Sequence, residues 1–253
     1  MMDNIEILLP GTVKEALLLL SDNNRKAQII AGGTDVVPGI GQGSARFSGI
    51  SLLVDVNHIP EMQGIEFEGE NIRIGAAENF TSIIKSKIVN EHLPLLSKAC
   101  STIGSVQIRN RGTIAGNFVN NAPCADTVPV LLVYNARLII ESPAGKRETL
   151  LADFLNSPYK TELKQGEIVT GVVIPIPDRE LEGDFYKLGR RRAVAISRIT
   201  LAHLINIKEN RIKELRIASG AVTPIGTRFN GLEKEFEGKE ISAAFTTEET
   251  YMG

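Results

Sequence analysis

The chain has 253 residues and a formal net charge of −2, which allows a substantial core and two compact domains and argues against a nucleic-acid or polyanion binder. Its two cysteines, Cys100 and Cys124, and its scattered His58, His92 and His203 supply neither a disulfide framework nor a four-thiolate iron–sulfur set nor a metal-ligand spacing. Asp3 and Glu6 stand where a secretory signal needs a basic end, and the longest leucine run, Leu17 to Leu20, is far short of a bilayer span. A cytoplasmic protein with no membrane segment and no metal of its own is expected.

Ile5 to Leu8 reads as a short strand ended by Pro10-Gly11. Thr12 precedes Glu15 at the spacing of a capping box, so a helix is predicted from there through Leu20, stopping at the turn formers Ser21-Asp22-Asn23-Asn24. Gln28 to Ala31 is a second strand that breaks at Gly32-Gly33-Thr34-Asp35. Leu52 to Val56 reads as a buried strand, and Ile65 to Phe67 with Ile72 to Ile74 as a hairpin about Gly69. A helical section from about Thr81 to Cys100, interrupted near Pro94, leads into the segment densest in polar residues and glycine, Thr102 to Asp126. Val130 to Val133 is short and apolar, Ala136 to Glu141 is a strand turning at Pro143-Ala144-Gly145, and Glu167 to Ile174 is another, closed by Pro175-Ile176-Pro177. Proline cannot continue a central strand, so that pair marks the expected domain boundary. Beyond it Phe185 to Leu188, Arg198 to Ile207 and Ile212 to Ala221 read as strands, the last two antiparallel about Glu209-Asn210; Arg190-Arg191-Arg192 reads as a solvated turn. The class is α+β in two or three lobes, without the βαβ alternation of a doubly wound sheet.

Two segments carry candidate chemistry. In Ile29-Ile30-Ala31-Gly32-Gly33-Thr34-Asp35-Val36 an apolar strand empties into two glycines and a hydroxyl. Glycine lets backbone approach a ligand and turn successive amides into one concavity, equipment for a pyrophosphate, although an ordinary tight turn has the same residues. The second segment runs from Gln107 through Gly112, Thr113, Gly116 and Asn117 to Asp126. Its glycines again permit close approach, Thr113 and Asn117 offer short polar side chains, and Asp126 offers a carboxylate suited to ribityl or ribose hydroxyls. As a plain loop it would be unusually long, and long loops in compact domains tend to be functional. A Rossmann fingerprint is absent: in Gly39-Ile40-Gly41-Gln42-Gly43-Ser44 a serine takes the place of the last glycine, and the run follows Pro38.

Ala31-Gly32-Gly33-Thr34-Asp35 and Arg109-Asn110-Arg111-Gly112-Thr113-Ile114-Ala115-Gly116-Asn117 resemble the two flavin-binding motifs of the xanthine dehydrogenase family, in particular those of its separate FAD subunits. Phe185-Tyr186-Lys187-Leu188-Gly189-Arg190-Arg191 and Gly220-Ala221-Val222-Thr223-Pro224 resemble later signatures of that family's C-terminal domain. The resemblance implies a vanillyl-alcohol-oxidase/PCMH-like FAD-binding domain over residues 1–177, with subdomains of about 1–58 and 59–177, and a small antiparallel sheet-and-helix domain over 178–253. It implies FAD as cofactor, with Ile29 to Val36 around the pyrophosphate and Gly112, Thr113, Gly116 and Asn117 on the flavin and its ribityl–phosphate arm. It also implies cofactor contacts from Asp126, Ile103 near the ring or adenosine, an apolar contact from Val169, and Lys187 approaching the flavin; a solvated surface lysine is the alternative for Lys187. Ala115 replaces a glycine usual in the family. After Leu232 to Gly238 and Ile241-Ser242-Ala243-Ala244 family members continue further, whereas this sequence stops at Gly253, implying a C-terminal domain that is small or completed by a partner.

The function so implied is electron transfer within a multi-subunit molybdenum hydroxylase. A molybdenum-cofactor subunit would oxidise the substrate, a [2Fe–2S] subunit would deliver electrons to FAD on this chain, and NAD or another acceptor would receive them. A stand-alone flavin oxidoreductase and a flavin-free scaffold or assembly protein are the alternatives.

Overall fold

The apolar runs at the start of the chain build a parallel sheet. In a computed structural model, which describes residues 5–22, 24–191 and 194–241, β1 (Glu6–Leu8), α1 (Val13–Leu20), β2 (Ala27–Ile30), α2 (Val36–Gly41) and β3 (Leu52–Asp55) follow one another. The strands pair in the order β1-β3-β2. Asn23 of the predicted turn, Arg192 of the basic triplet, and Ser242, Ala243 and Ala244 lie outside the described residues. Thr12 caps α1, its Oγ1 accepting the Glu15 amide at 3.2 Å, but Glu15 Oε2 accepts from Gly11 at 2.7 Å, one residue earlier than a capping box requires. The α2 helix tolerates Pro38 in its first turn.

The next elements are β4 (Ile65–Glu68), β5 (Asn71–Gly75), α3 (Phe80–Lys85), α4 (Lys87–His92) and α5 (Pro94–Ser101). Ser86 ends α3 and caps α4, accepting the Val89 amide at 3.3 Å, and Pro94 starts α5 at a position where its missing N–H costs nothing. The stretch read as a long loop is largely helical: α6 (Val106–Arg111) and α7 (Ile114–Asn120) are short helices capped by Ser105 and Thr113. Its glycine and asparagine content masks the apolar spacing of Ile114, Ala115 and Phe118, all buried. Ala115 is in the first turn of α7, a backbone conformation alanine adopts freely. Helix α8 (Thr127–Val133) is buried at every residue, because it lies between α5 and α7 on one side and the C-terminal sheet on the other.

Strands β6 (Arg137–Ser142) and β7 (Gly145–Leu150), the turn α9 (Leu151–Phe154), the small hairpin β8 (Leu155–Ser157) and β9 (Lys160–Thr161), and β10 (Ile168–Pro175) complete an antiparallel sheet of order β4-β5-β10-β6-β7. Strand β10 is central and almost wholly buried, and the chain leaves the sheet at Pro175, its last paired residue. A second antiparallel sheet follows, with strands β11 (Glu182–Gly189), β12 (Ser197–Lys208), β13 (Arg211–Gly220) and β14 (Thr227–Arg228) in sequential order, then α10 (Asn230–Phe236). Glu209 and Asn210 both take positive φ, 52° and 61°, matching the twist of a tight hairpin. Among the described residues, no helix is long and apolar enough to cross a membrane.

Two polar contacts hold this frame. Tyr134 is 1% exposed, and its hydroxyl oxygen accepts the Leu95 amide at 3.3 Å, satisfying a donor that α5 leaves orphaned at its start. Tyr134→Phe is expected to lower unfolding free energy by about 1–3 kcal/mol, the cost of a buried amide without a partner, read as a lower urea midpoint at unchanged slope. The second contact is bidentate: Arg147 reaches Glu167 Oε1 at 2.8 Å and Oε2 at 2.7 Å. The guanidinium holds the Glu167 carboxyl below the usual carboxylate range. A depressed folded value contributes stability that is complete above the unfolded value and is lost as pH falls through the folded one. Glu167→Gln is therefore expected to flatten the fall in stability below about pH 4.3, measured by urea titrations across the acid range.

Candidate functional site

At the end of β2 the chain turns through Ala31-Gly32-Gly33-Thr34-Asp35. Gly33 has φ +69°, a conformation cheap only for glycine. A Cβ on Gly32 would stand 1.8 Å from the carbonyl oxygen of Arg111 and 2.9 Å from the Gly112 Cα. The two glycine segments, distant in sequence, are therefore in backbone contact. Beside that contact opens a cavity of about 470 Å³, within the range of small-molecule sites.

The two segments present different faces to this cavity. The amides of Gly32, Gly33, Thr34 and Asp35 make no hydrogen bond among the described residues, although backbone donors are normally paired. Four successive donors thus stand free on the cavity wall. In the second segment the amides are engaged: Ile114 donates to Glu78 O at 2.9 Å, Ala115 to Ala76 O at 3.2 Å, and Gly116 to Thr113 Oγ1 at 3.1 Å. Asn117 Oδ1 accepts from the Thr127 hydroxyl at 2.6 Å and the Thr127 amide at 3.3 Å. An amide N–H only donates, so this fixes the Asn117 orientation and leaves its NH₂ as the remaining donor.

Ile29, Ala31, Gly32, Gly33, Thr34, Asp35 and Val36 from the first segment line the cavity, as do Ile103, Gly112, Thr113, Gly116 and Asn117 from the second. Val169 lines it from β10, next to a register shift between Val169 and Gly171 that bends the strand. Three candidates are not on this wall. Ile30 packs with Ile40, Ile50 and Leu53 in a separate apolar cluster. Lys187 Nζ donates to Asp126 Oδ2 at 2.6 Å and to Thr102 O at 3.0 Å, while Ser197 donates to the other carboxylate oxygen. Burial pushes the Asp126 carboxyl up, against the opposing hydrogen bonds of Lys187 and Ser197. Lys187 lines instead a second cavity of about 610 Å³, together with Arg109 and Arg191.

Sequence reasoning missed other wall residues. Phe80 and Met62, buried and concealed by ordinary core patterning, give the cavity its apolar side together with Ile108, an exposed residue inside the second segment. Cys124, also on the wall, has its thiol pushed up by burial and by the Asp126 charge; its place inside the polar segment Thr102 to Asp126 was the available signal. Ile196 reaches the cavity from the connection between β11 and β12 and is 78% exposed, which no periodicity announces.

Residues 3–177 match the FAD binding domain in molybdopterin dehydrogenase, and residues 184–250 match the CO dehydrogenase flavoprotein C-terminal domain. The chain is 36% identical over 226 residues to a xanthine dehydrogenase FAD-binding subunit of Escherichia coli O157:H7, covering 88% of this chain and 76% of that protein. It is 31% identical over 239 residues to the carbon monoxide dehydrogenase medium chain of Hydrogenophaga pseudoflava, covering 94% and 80%. A structure of carbon monoxide dehydrogenase from Hydrogenophaga pseudoflava, lacking the Mo-pyranopterin moiety, superimposes with a TM-score of 0.90 at 30% identity over 97% of this chain and 83% of that one. The chain belongs to the family of FAD-binding domains of molybdopterin dehydrogenases. It is an oxidoreductase flavoprotein, the FAD-binding subunit type of the xanthine and CO dehydrogenase-like molybdenum hydroxylases, and FAD is its cofactor. The α+β class and the family resemblance read from four motifs both hold.

Gly32→Ala forces backbone apart at the junction of the two segments and is expected to cost about 1–3 kcal/mol, as over-packed cores do. Gly41→Ala, where an added Cβ meets nothing within 4 Å, is expected to stay within about 0.5 kcal/mol of the parent. Urea unfolding of the two variants side by side checks the contrast.

Proposed function

We propose that FAD binds in the cavity between the two glycine segments, with its diphosphate on the amides of Gly32 to Asp35. Those four free donors carry the reading, since nothing else in the chain satisfies them among the described residues. Ile29 and Ala31 to Val36 would form this cradle; Gly112 and Gly116 would give close approach, and Thr113 and Asn117 short polar contacts, of which the Asn117 NH₂ remains free. Ile103 and Val169 would supply apolar contact. The residues present fit the group: an apolar wall for a ring system meets a glycine turn built for phosphate oxygens.

When bound, FAD supplies one- and two-electron redox chemistry. The chain's own residues hold and orient it, and Ile103, Phe80 and Met62 exclude water from the apolar side of the cavity. Asp126 and Lys187 contribute as a mutually neutralised pair, so no lone lysine charge acts on the flavin while that pair is closed.

Within a complex, the subunit would take electrons from a [2Fe–2S] subunit, downstream of a molybdenum-cofactor subunit where the substrate is oxidised. It would pass them to NAD or another acceptor. The medium-chain name of the Hydrogenophaga relative supports a multi-subunit setting, and two cysteines are too few for a four-thiolate cluster on this chain. We assign residues 1–177 to the FAD-binding domain and 178–253 to the C-terminal domain, supported by the exit of the chain from its sheet at Pro175. A cytoplasmic location fits the two free thiols.

The purified chain is expected to be yellow and to release FAD on denaturation, identified by its fluorescence and chromatographic mobility. Gly33→Val places a β-branched residue at φ +69° and is expected to cut bound FAD at least about tenfold. Retention of full FAD by that variant would sink the cavity assignment.

A further inference from the structure

We propose that Arg46 is a positioning residue that clasps the outer edge of this cavity and makes it compatible with a diphosphate; the proposal rests on FAD occupying the cavity. A cradle of free amides suits an anion, yet its last residue, Asp35, lines the same cavity and carries a part-exposed carboxylate. A carboxylate beside a diphosphate repels it unless a cation intervenes. Arg46 supplies that cation: Nη2 lies 3.1 Å from Asp35 Oδ1 and 3.0 Å from Oδ2.

The same guanidinium reaches across to the second segment. Its Nη1 donates to Asn120 Oδ1 at 2.7 Å, and Asn120 also lines the cavity at the end of α7. A planar fork with fixed donors suits such a bridge, and a flexible ammonium does not. The fork is held by two aromatic rings, its carbon lying 4.9 Å from the Phe47 centroid and 4.4 Å from that of Tyr159.

Tyr159 stands in a turn that backbone sterics disfavour. Its φ is +62°, a value bulky residues rarely adopt. Neighbouring bonds enforce it: the Tyr159 amide donates to Asn121 O at 3.0 Å, and Asn121 Nδ2 donates to Ser157 O and Lys160 O, each at 2.9 Å. Asn121 itself is buried at φ 45°. Strain so firmly over-determined places a half-exposed ring where Arg46 stacks on it. Three separate segments thus converge on one cation, which is more than an isolated surface ion pair requires.

A double-mutant cycle on the full chain tests this, with FAD stripped and then titrated back while flavin fluorescence reports the dissociation constant. Arg46→Ala is expected to weaken FAD binding about tenfold or more at low salt, because it leaves Asp35 facing the diphosphate uncompensated. That loss is expected to shrink as ionic strength rises. In an Asp35→Asn background, the same change is expected to cost less than about threefold, and Arg46→Lys in the parent is expected to restore part of the affinity. Thermal unfolding of the flavin-free variants is expected to move little. Unchanged affinity in Arg46→Ala, equal losses in both backgrounds, or a collapse of the flavin-free fold would each overturn the clasp while leaving the cavity assignment intact. Failure of the parent chain to take up FAD would overturn both.

Discussion

No side chain fits between Gly32 and the Arg111–Gly112 peptide, and the geometry of the whole site depends on that close approach. It joins the end of a parallel strand, β2, to the start of α7 without intervening atoms. The free amides that follow Gly32 and the capped helix that follows Gly112 consequently share one cavity. Any residue larger than glycine at position 32 would separate two elements that are otherwise held by bonds to different sheets. The second segment is anchored by Phe80 donating to Gly112 O at 3.1 Å and by its own donations to the carbonyls of Ala76 and Glu78. Those carbonyls follow β5, so the five-stranded sheet sets where α7 begins, and the parallel sheet sets where the amides lie.

A division of labour between the two segments follows. They look alike in sequence, each offering glycines and a threonine, but backbone accounting separates them. The first has donors to spare and no cation of its own; the second has its donors engaged and contributes shape, one free carboxamide and a rigid cap. Thr113 illustrates the difference: its oxygen caps α7 through Gly116 and its residue is 3% exposed, so its first duty is to fix the helix. In the proposed binding mode an anion would be recognised by unengaged amides more than by charge. The nearest charged pair, Asp35 with Arg46, is close to neutral as a unit.

The sequence made the fold legible where local chemistry and global packing agree. The strands of the C-terminal sheet, the hairpin about Gly69 and the helix capped by Thr12 all carry period and turn signals that the structure repeats. The stretch from Thr102 to Asp126 misled because its caps, Ser105 and Thr113, sit among glycines and asparagines that also signal loops. At the site, the residues of the two glycine segments were readable, since glycine has a local steric meaning. Arg46 was not readable, because its partners Asp35, Asn120 and Tyr159 come from three segments that only tertiary structure brings together. Asp126 was readable as a carboxylate of interest and Lys187 came only through the family resemblance; their engagement with each other, Ser197 and Thr102 is likewise a tertiary fact.

That last set explains how the C-terminal sheet belongs to the site. Lys187 comes from β11 and Ser197 from β12, and both grip Asp126 at the start of α8. Ala221, just past β13, donates to Pro123 O at 2.8 Å, and a Cβ on Gly220 would come within 3.0 Å of Pro129. Three of the four strands of this sheet are therefore tied to one short stretch, Pro123 to Pro129, which also carries the wall residue Cys124. Ile196, immediately before β12, also reaches the cavity. The buried Asp126 carboxylate needs partners to be tolerated, and its partners are strands of the C-terminal sheet. The cost of leaving that carboxylate alone thereby holds the C-terminal sheet against the stretch from Pro123 to Pro129 behind the cavity wall, while the Gly32 contact sets the cavity itself.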